Sequence, residues 1–258
     1  MLRPGFLKGA LRHLSILPRL VFTVRGWPAL LADALGWRHQ TYVLRSQSGA
    51  NCLIRPGTSD WWIFLEIFVF QIYQRVDEDV RRAETIVDIG ANVGMFAIHA
   101  ATLNSKVQIH AFEPFPKNLQ QLRVNLQLNQ IQRVHVHAQA VSDQTGGATL
   151  YFSPGDDSGC SLNATKGQSV EVATVHVNDL FGLCDIQKCD LLKMDCEGSE
   201  LGILRAANPE FLTKLGAIIM EYHNLAEVPE LISILKRSGF KCEILESIKT
   251  LYACRNSP

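Results

Sequence analysis

Apolar positions follow two different rhythms along this chain. Up to about residue 80 they come in short, uneven blocks. From Thr85 onward, short apolar runs alternate with segments of helical period. Residues 1–40 read as short helices broken at Pro18 and at Gly26-Trp27-Pro28. Residues 41–44 and 51–54 read as a hairpin around Ser46-Gln47-Ser48-Gly49. The stretch 61–75 is apolar nearly all round, which predicts a buried helix, with Asp60 placed to cap it. Strands are expected at 85–89, 106–112, 134–141, 190–194 and 217–222. Helices are expected at 95–103, 116–128, 200–205 and 227–238. Such alternation implies a parallel sheet with helices on both faces. Residues 149–180 interrupt it as a β insertion, with strand-like pieces at 149–153 and 170–177. Between them, Pro154 to Gly159 reads as a turn, with Asp156, Asp157 and Ser158 as turn-formers. Two last strand-like pieces, 241–245 and 250–255, predict a terminal antiparallel hairpin. The expected division is a helical and hairpin cap over 1–80 and an α/β domain over 81–258.

Composition narrows the classes. With 258 residues and 47% apolar content, the chain can build a large core, so wholesale disorder is excluded. Lys and Arg balance Asp and Glu at 25 each, so no global nucleic-acid footprint exists and no nucleic-acid partner is expected. The seven cysteines form no CxxC pair. Cys184 and Cys189 are the closest, and no partner His or Cys stands at zinc-site spacing. Reduced, mostly buried thiols and a cytoplasmic location are the expectation. Arg3, Lys8, Arg12, Arg19 and Arg25 precede the first acid, Asp33, but Pro18-Arg19 interrupts what a signal peptide would need as its core. That basic arm reads as a helical cap on the domain, with contact to acidic lipid, an acyl carrier or nucleic acid as alternatives. The apolar run 61–73 is too short for a bilayer and carries Glu66 and Gln71, so no transmembrane segment is expected. Oligomeric state is not encoded in any pattern here.

The chemistry concentrates at predicted strand ends, where open α/β sheets bind ligands. The first strand runs into Asp88-Ile89-Gly90-Ala91-Asn92-Val93-Gly94 and then an apolar helix. Glycines there let a ligand approach the backbone, and the helix start offers free N–H groups. The spacing is not the GxGxxG of a dinucleotide loop. The second strand delivers Glu113, suited to the two ribose hydroxyls of an adenosine ligand, whether NAD or S-adenosylmethionine; its plainer role is a helix-capping carboxylate. The third ends at Val141-Ser142, where small and apolar side chains suit an adenine ring. The fourth delivers Lys193-Met194-Asp195-Cys196-Glu197-Gly198-Ser199-Glu200, and the fifth Glu221-Tyr222-His223. His223, oriented by Asp195 or Glu221, is a candidate base for a hydroxyl nucleophile. Asp195, Glu221 and His223 could equally hold a divalent cation such as Mg. Glu200 has the simpler reading of a first-turn helix carboxylate, and Lys193 that of a structural partner for a nearby acid.

The series 87–94, 111–116, 140–143 and 192–200 resembles the FkbM family of S-adenosylmethionine-dependent methyltransferases, as does Pro56-Gly57-Thr58-Ser59-Asp60 ahead of an apolar helix. The resemblance runs from about residue 44 to the C-terminus. It implies a class I methyltransferase fold: a Rossmann-like, mostly parallel seven-stranded sheet with a C-terminal antiparallel hairpin and an N-terminal helical cap. Carried across by motif, Asp88, Gly90 and Gly94 would line the methionine side, with Asn92 a further cofactor-binding residue of the same turn. Glu113 would take the ribose and Val141 with Ser142 the adenine. Asp195, Glu197, Glu221 and His223 would stand at the reacting centre. The implied reaction is methyl transfer to a hydroxyl of a sugar, glycan or other small natural product. Cys196 departs mildly from the aliphatic residue common at that position. Asp195-Cys196-Glu197-Gly198 also replaces the Asn/Asp-Pro-Pro-aromatic sequence of base N-methyltransferases. A nicotinamide oxidoreductase and a non-catalytic scaffold are the competing readings.

Overall fold

The computed structural model describes residues 17–153, 156–163 and 166–255. Two short helices, α1 (Leu17–Thr23) and α2 (Trp27–Ala34), lead into the hairpin β1 (Tyr42–Arg45) and β2 (Asn51–Ile54), paired from Tyr42↔Ile54 to Arg45↔Asn51. Pro18, expected to break a helix, lies within α1. The basic residues Arg3, Lys8 and Arg12 lie outside the described residues.

The expected single helix over 61–75 is a correction. An α-helix, α3 (Asp60–Phe64), passes into a π-helical segment, Leu65–Phe70, which Gln71 ends in the left-handed region at φ 57°. A 3-10 turn, Gln74–Val76, and a further helix, α4 (Asp77–Arg82), follow. The apolar pattern reported burial but not hydrogen-bond spacing, and this segment is covered on two sides. Phe64, Leu65, Ile67 and Val69 enter the core, while Trp62, Ile63 and Glu66 face a cavity. Asp60 does not cap the helix either. It is buried and accepts the Arg55 amide at 3.0 Å and the Arg55 guanidinium at 2.8 and 2.7 Å.

The α/β part runs β3 (Thr85–Ile89), α5 (Met95–Leu103), β4 (Gln108–Phe112), α6 (Pro116–Leu128), β5 (Val134–His137), β6 (Ala140–Ser142), β7 (Gly146–Ser153), β8 (Asp156–Ser161) and β9 (Gln168–His176). It continues through α7 (Leu180–Cys184), β10 (Cys189–Met194), α8 (Glu200–Ala206), α9 (Pro209–Thr213), β11 (Leu215–Glu221), α10 (Val228–Arg237), β12 (Phe240–Leu245) and β13 (Thr250–Arg255). Seven strands form the main sheet in the order β12-β13-β11-β10-β3-β4-β5, and only β13 runs against its neighbours. The mostly parallel sheet and its terminal antiparallel hairpin therefore agree with the expected architecture. The order reverses between β3 and β10, which opens a crevice at their C-terminal ends.

The predicted third strand, 134–141, splits. β5 stays at the edge of the main sheet, while β6 pairs parallel with β9 in a second sheet of order β6-β9-β7-β8. The insertion thus begins at Gly146 and borrows β6 as its fourth strand. Asp156, Asp157 and Ser158 are strand residues of β8, and Pro154 and Gly155 of the expected turn lie outside the described residues. Helices α7 and α9 were not expected; each is five residues long, too short for a periodic signal.

Both sheet faces are covered, as continuous apolar strands require. Ile86, Ile109, Leu191 and Ile219 join the N-terminal elements, α5 and α6 in one apolar cluster. Val87, Phe112, Leu192 and Ile218 point the other way, into a cluster with α7 to α10. In α10, Val228, Leu231 and Leu235 form the buried stripe. Each such aliphatic side chain stabilises the fold by about 1.5–3 kcal/mol. Among the described residues no helix is long and apolar enough to cross a membrane.

Candidate active site

The turn after β3 is shaped by close packing. Gly90 has φ +76°, and a Cβ there would lie 1.8 Å from the Asp195 carbonyl oxygen, so glycine is required on both counts. The Gly90 and Ala91 amides donate to Phe112 O at 3.0 and 2.9 Å, and the Asp195 amide donates to Ile89 O at 3.0 Å. These bonds lock the ends of β3, β4 and β10 together. Gly94 has φ +81° and starts α5, but its missing Cβ makes room for Leu122 of α6 rather than for a ligand.

Glu113 closes the other side of this turn. It is 4% exposed, and its two oxygens accept the amides of Asn92 and Phe115, each at 2.8 Å. Burial pushes its carboxyl up to about 7 against the pull of those two N–H groups. Asn92 takes a left-handed conformation, φ 51°, costly for a non-glycine residue and here held by that bond. Glu113 therefore joins two strand ends, each oxygen keeps a second lone pair, and the residue lines the cavity.

Beneath the turn lies a buried ion pair. Asp88 is 0% and Lys193 3% exposed, with Nζ 3.1 Å from Asp88 Oδ1 and 2.6 Å from Gly90 O. The Asp88 contact is an ion pair rather than an aligned hydrogen bond, and neither carboxylate oxygen has another partner among the described residues. Burial opposes the Lys193 charge, but Asp88 beside it holds the ammonium above its ordinary range. Asp195 stands 3.9 Å from the same ammonium, nearer the open cavity.

The turn after β10 carries the remaining groups. Glu197 is left-handed at φ 52° and Gly198 follows at φ 97°. Glu200, buried at the start of α8, accepts the amides of Cys196 and Gly198 at 3.1 and 3.3 Å and so staples the turn. It also pairs with His223 Nδ1 at 3.1 Å, so Glu200 orients the imidazole, not Asp195 or Glu221 as the sequence suggested. The other ring nitrogen, Nε2, lies 3.3 Å from Glu197, 3.9 Å from Asp195 and 4.0 Å from Glu221. The Glu200 bond raises His223 to about 9, with burial opposing, so the ring is an imidazolium at neutral pH. Glu200 itself, despite burial, is held below its ordinary range by His223. Glu197 and Glu221 are pushed up to about 7, first by burial and then by Asp195. That shift favours the protonated ring over the neutral base expected of His223. The carboxylates are poised where a base should be.

These elements surround a cavity of about 270 Å³. Of the residues anticipated from sequence, Gly90, Asn92, Glu113, Val141, Asp195, Glu197 and Glu221 line it. Asp88 and Gly94 lie behind the wall, and Ser142 turns its hydroxyl to Asp143 at 2.9 Å instead. His223 borders the cavity through its carboxylate partners. Unanticipated lining comes from the π-helical segment and its neighbours: Trp62, Glu66 and Tyr73. Glu66 accepts the Trp62 indole N–H at 2.7 Å, and burial pushes its carboxyl up to about 7. A lone carboxylate in the apolar run 61–73 was the available signal. The insertion is tied in as well. Ser161 donates to Glu197 O at 2.8 Å and Asn163 to Gly198 O at 2.7 Å, while Cys160 and Leu162 line the cavity.

The chain is similar to several known proteins. A family model described as the methyltransferase FkbM domain matches residues 88–242. The 31-O-demethyl-FK506 methyltransferase FkbM of Streptomyces tacrolimicus is 25% identical over 229 residues, covering 76% of this chain and 88% of its own. The hexuronic acid methyltransferase AglP of Haloferax volcanii is 24% identical over 167 residues, covering 65% and 67%. Among solved structures, precorrin-6y C5,15-methyltransferase from Geobacter metallireducens aligns with a TM-score of 0.44 at 17% identity, over 71% of this chain and 86% of its own.

Proposed function

The chain belongs to the FkbM methyltransferase family, and from that premise we propose that it transfers a methyl group from S-adenosylmethionine to a hydroxyl oxygen of a small molecule: a sugar, a glycan or another natural product. The observation that carries this reading is one cavity whose lining includes Gly90, Glu113, Asp195, Glu197 and Glu221 together. The donor fits these residues. Gly90 lets the turn pack tightly against Asp195 at the cavity wall, Glu113 keeps lone pairs for a ribose diol, and Val141 with Phe112 offers an apolar border for adenine. When bound, S-adenosylmethionine supplies an electrophilic methyl group on a positively charged sulfur. Asp195, Glu66 and Glu221 give the cavity the negative charge that favours such a cation. Glu221 takes the proton of the acceptor hydroxyl, and its elevated pKa suits it to do so near neutrality. The His223 imidazolium holds Glu197 and Asp195 in place by charge. Alignment of acceptor and donor in a closed cavity supplies most of the acceleration. The insertion, through Cys160 and Leu162, and the segment 62–73 shape acceptor choice.

The acceptor class is the finer part of this reading, and the two named relatives support it by their own substrates, 31-O-demethyl-FK506 and a hexuronic acid. Calorimetry should show S-adenosylhomocysteine binding with no binding of NAD; the reverse result would make the chain an oxidoreductase, and binding without turnover on any hydroxyl acceptor would leave a scaffold. A cation at Asp195, Glu221 and His223 would have to displace the proton that the Glu200 bond favours on the imidazole. We read the cluster as a charge network, so EDTA should leave turnover unchanged. Loss with EDTA that magnesium restores would overturn that assignment.

The same groups set the pH dependence. Glu221 is raised to about 7, so below that pH it carries a proton and cannot act as base. His223 is raised to about 9, so above that pH Glu197 and Asp195 lose their cation. The log of kcat/KM, which reports the free enzyme, should therefore form a bell with limbs near 7 and 9. A profile flat from pH 6 to 8 would remove the carboxylate base.

A further inference from the structure

Outside the cavity lining, three metal-ligating side chains from separate elements converge: His110 of β4, His137 of the edge strand β5, and Cys184 at the end of α7. His110 Nδ1 lies 3.2 Å from His137 Nε2, and Cys184 Sγ lies 4.0 Å from the same nitrogen. All three donor atoms fall within 4.8 Å of one another. A tetrahedral zinc ion, with nitrogen at about 2.0–2.1 Å and sulfur at about 2.3 Å, needs donors about 3.3 Å (N to N) and about 3.6 Å (N to S) apart. The two separations at His137 lie within a few tenths of an ångström of that geometry, and the third, within 4.8 Å, closes by rotation of the Cys184 side chain. We propose that His110, His137 and Cys184 form a binding site for a borderline-soft divalent transition-metal ion of the zinc type, with the fourth position open to water.

Ligand chemistry and rigidity both favour this. Two imidazoles and one thiol select zinc-like ions over magnesium or calcium, which prefer oxygen. The rings are already held in place. Phe112 stacks on His137 at 4.4 Å with the planes 10° apart, and His135 stacks on His110 at 4.9 Å. His135 itself is engaged with Gln108 Oε1 at 3.1 Å and stays outside the ligand set. On binding, the Cys184 thiol releases its proton to solvent. The ion would tie the short edge strand β5 to α7, the helix that returns the chain from the insertion to β10. A buried and a half-buried histidine joined by one hydrogen bond beside a thiol are the plainer alternative.

Titration of Co²⁺ into the untagged full-length chain separates the two. One equivalent should bind with a thiolate-to-cobalt charge-transfer band in the near ultraviolet, and Zn²⁺ should displace it. Cys184→Ser should abolish the band and His137→Gln should weaken binding at least tenfold, both with S-adenosylhomocysteine binding retained. Zn²⁺ at a free concentration a hundred times Kd should raise the Tm of the unaltered chain by roughly 5–10 °C, and Mg²⁺ should not. A band that survives Cys184→Ser overturns the proposal. Should the variants fail to fold, absence of both the cobalt band and the zinc-induced Tm shift in the unaltered chain overturns it equally.

Discussion

Lys193→Met is expected to lower the folding free energy by about 3–5 kcal/mol, the usual cost of leaving a buried charge without its partner. Asp88 is 0% exposed, and its oxygens have no hydrogen-bond partner among the described residues, so the Lys193 ammonium at 3.1 Å is its compensation. Methionine fills a similar volume, which keeps cavity formation out of the measurement. The loss should depend on pH. A buried, unpaired carboxyl has a raised pKa, so protonated Asp88 is tolerated at low pH and the penalty grows as pH rises. Asp88→Leu in the same background should recover most of the stability, since an apolar pair often replaces a buried ion pair without loss. About 1 kcal/mol should stay lost, because Gly90 O would still lack the 2.6 Å donor from Lys193. Urea midpoints at pH 5 and pH 8 test all three statements. A Lys193→Met chain within 1 kcal/mol of the parent at pH 8 would show that Asp88 finds water or another donor.

Glu221→Gln is the second large effect, on rate rather than stability. Removing a general base typically costs 10²–10⁴-fold in kcat. Glutamine keeps the shape of the side chain, so S-adenosylhomocysteine affinity should change less than threefold. The acid limb of the kcat/KM profile near pH 7 should vanish with the carboxylate. Glu197→Gln is the control: its carboxylate sits 3.3 Å from the His223 imidazolium and is engaged as an ion-pair partner. If Glu197→Gln removes the limb and Glu221→Gln spares it, the roles of the two residues are exchanged. If neither changes kcat beyond threefold, the reaction runs without a carboxylate base.

Most of the sheet was readable because continuous apolar runs such as Ile86-Val87 and Leu191-Leu192 occur only where both sides are covered. Where the reading failed, local pattern and local geometry differ. Residues 134–141 are strand-like throughout, yet the chain leaves one sheet at His137 and enters another at Ala140, which depends on what β9 offers as a partner. The apolar run 61–75 is buried as expected but opens into a π-helical turn that delivers Glu66 to the cavity.

The site divides in a similar way. Residue types at strand ends were legible because a sheet's topology dictates where its C-terminal ends converge. Sequence alone thus determined the α/β class, the glycine turn at Gly90, the acidic turn at Asp195–Glu200 and their nearness to Glu113. Which side chain faces the ligand and which faces the core is a matter of angstroms. Only the tertiary structure put Gly94 against Leu122, and Asp88 under Lys193. Protonation was likewise out of reach from sequence. His223 is an imidazolium because Glu200, 23 residues earlier, lies 3.1 Å from it, and Glu221 is base-like because the fold buries it beside Asp195. The metal-ligand trio makes the same point at longer range: His110 and Cys184 stand 27 and 47 residues from His137, a spacing that means nothing until β4, β5 and α7 are packed together. Periodicity is a property of neighbours in sequence, whereas charge state and ligand geometry belong to neighbours in space.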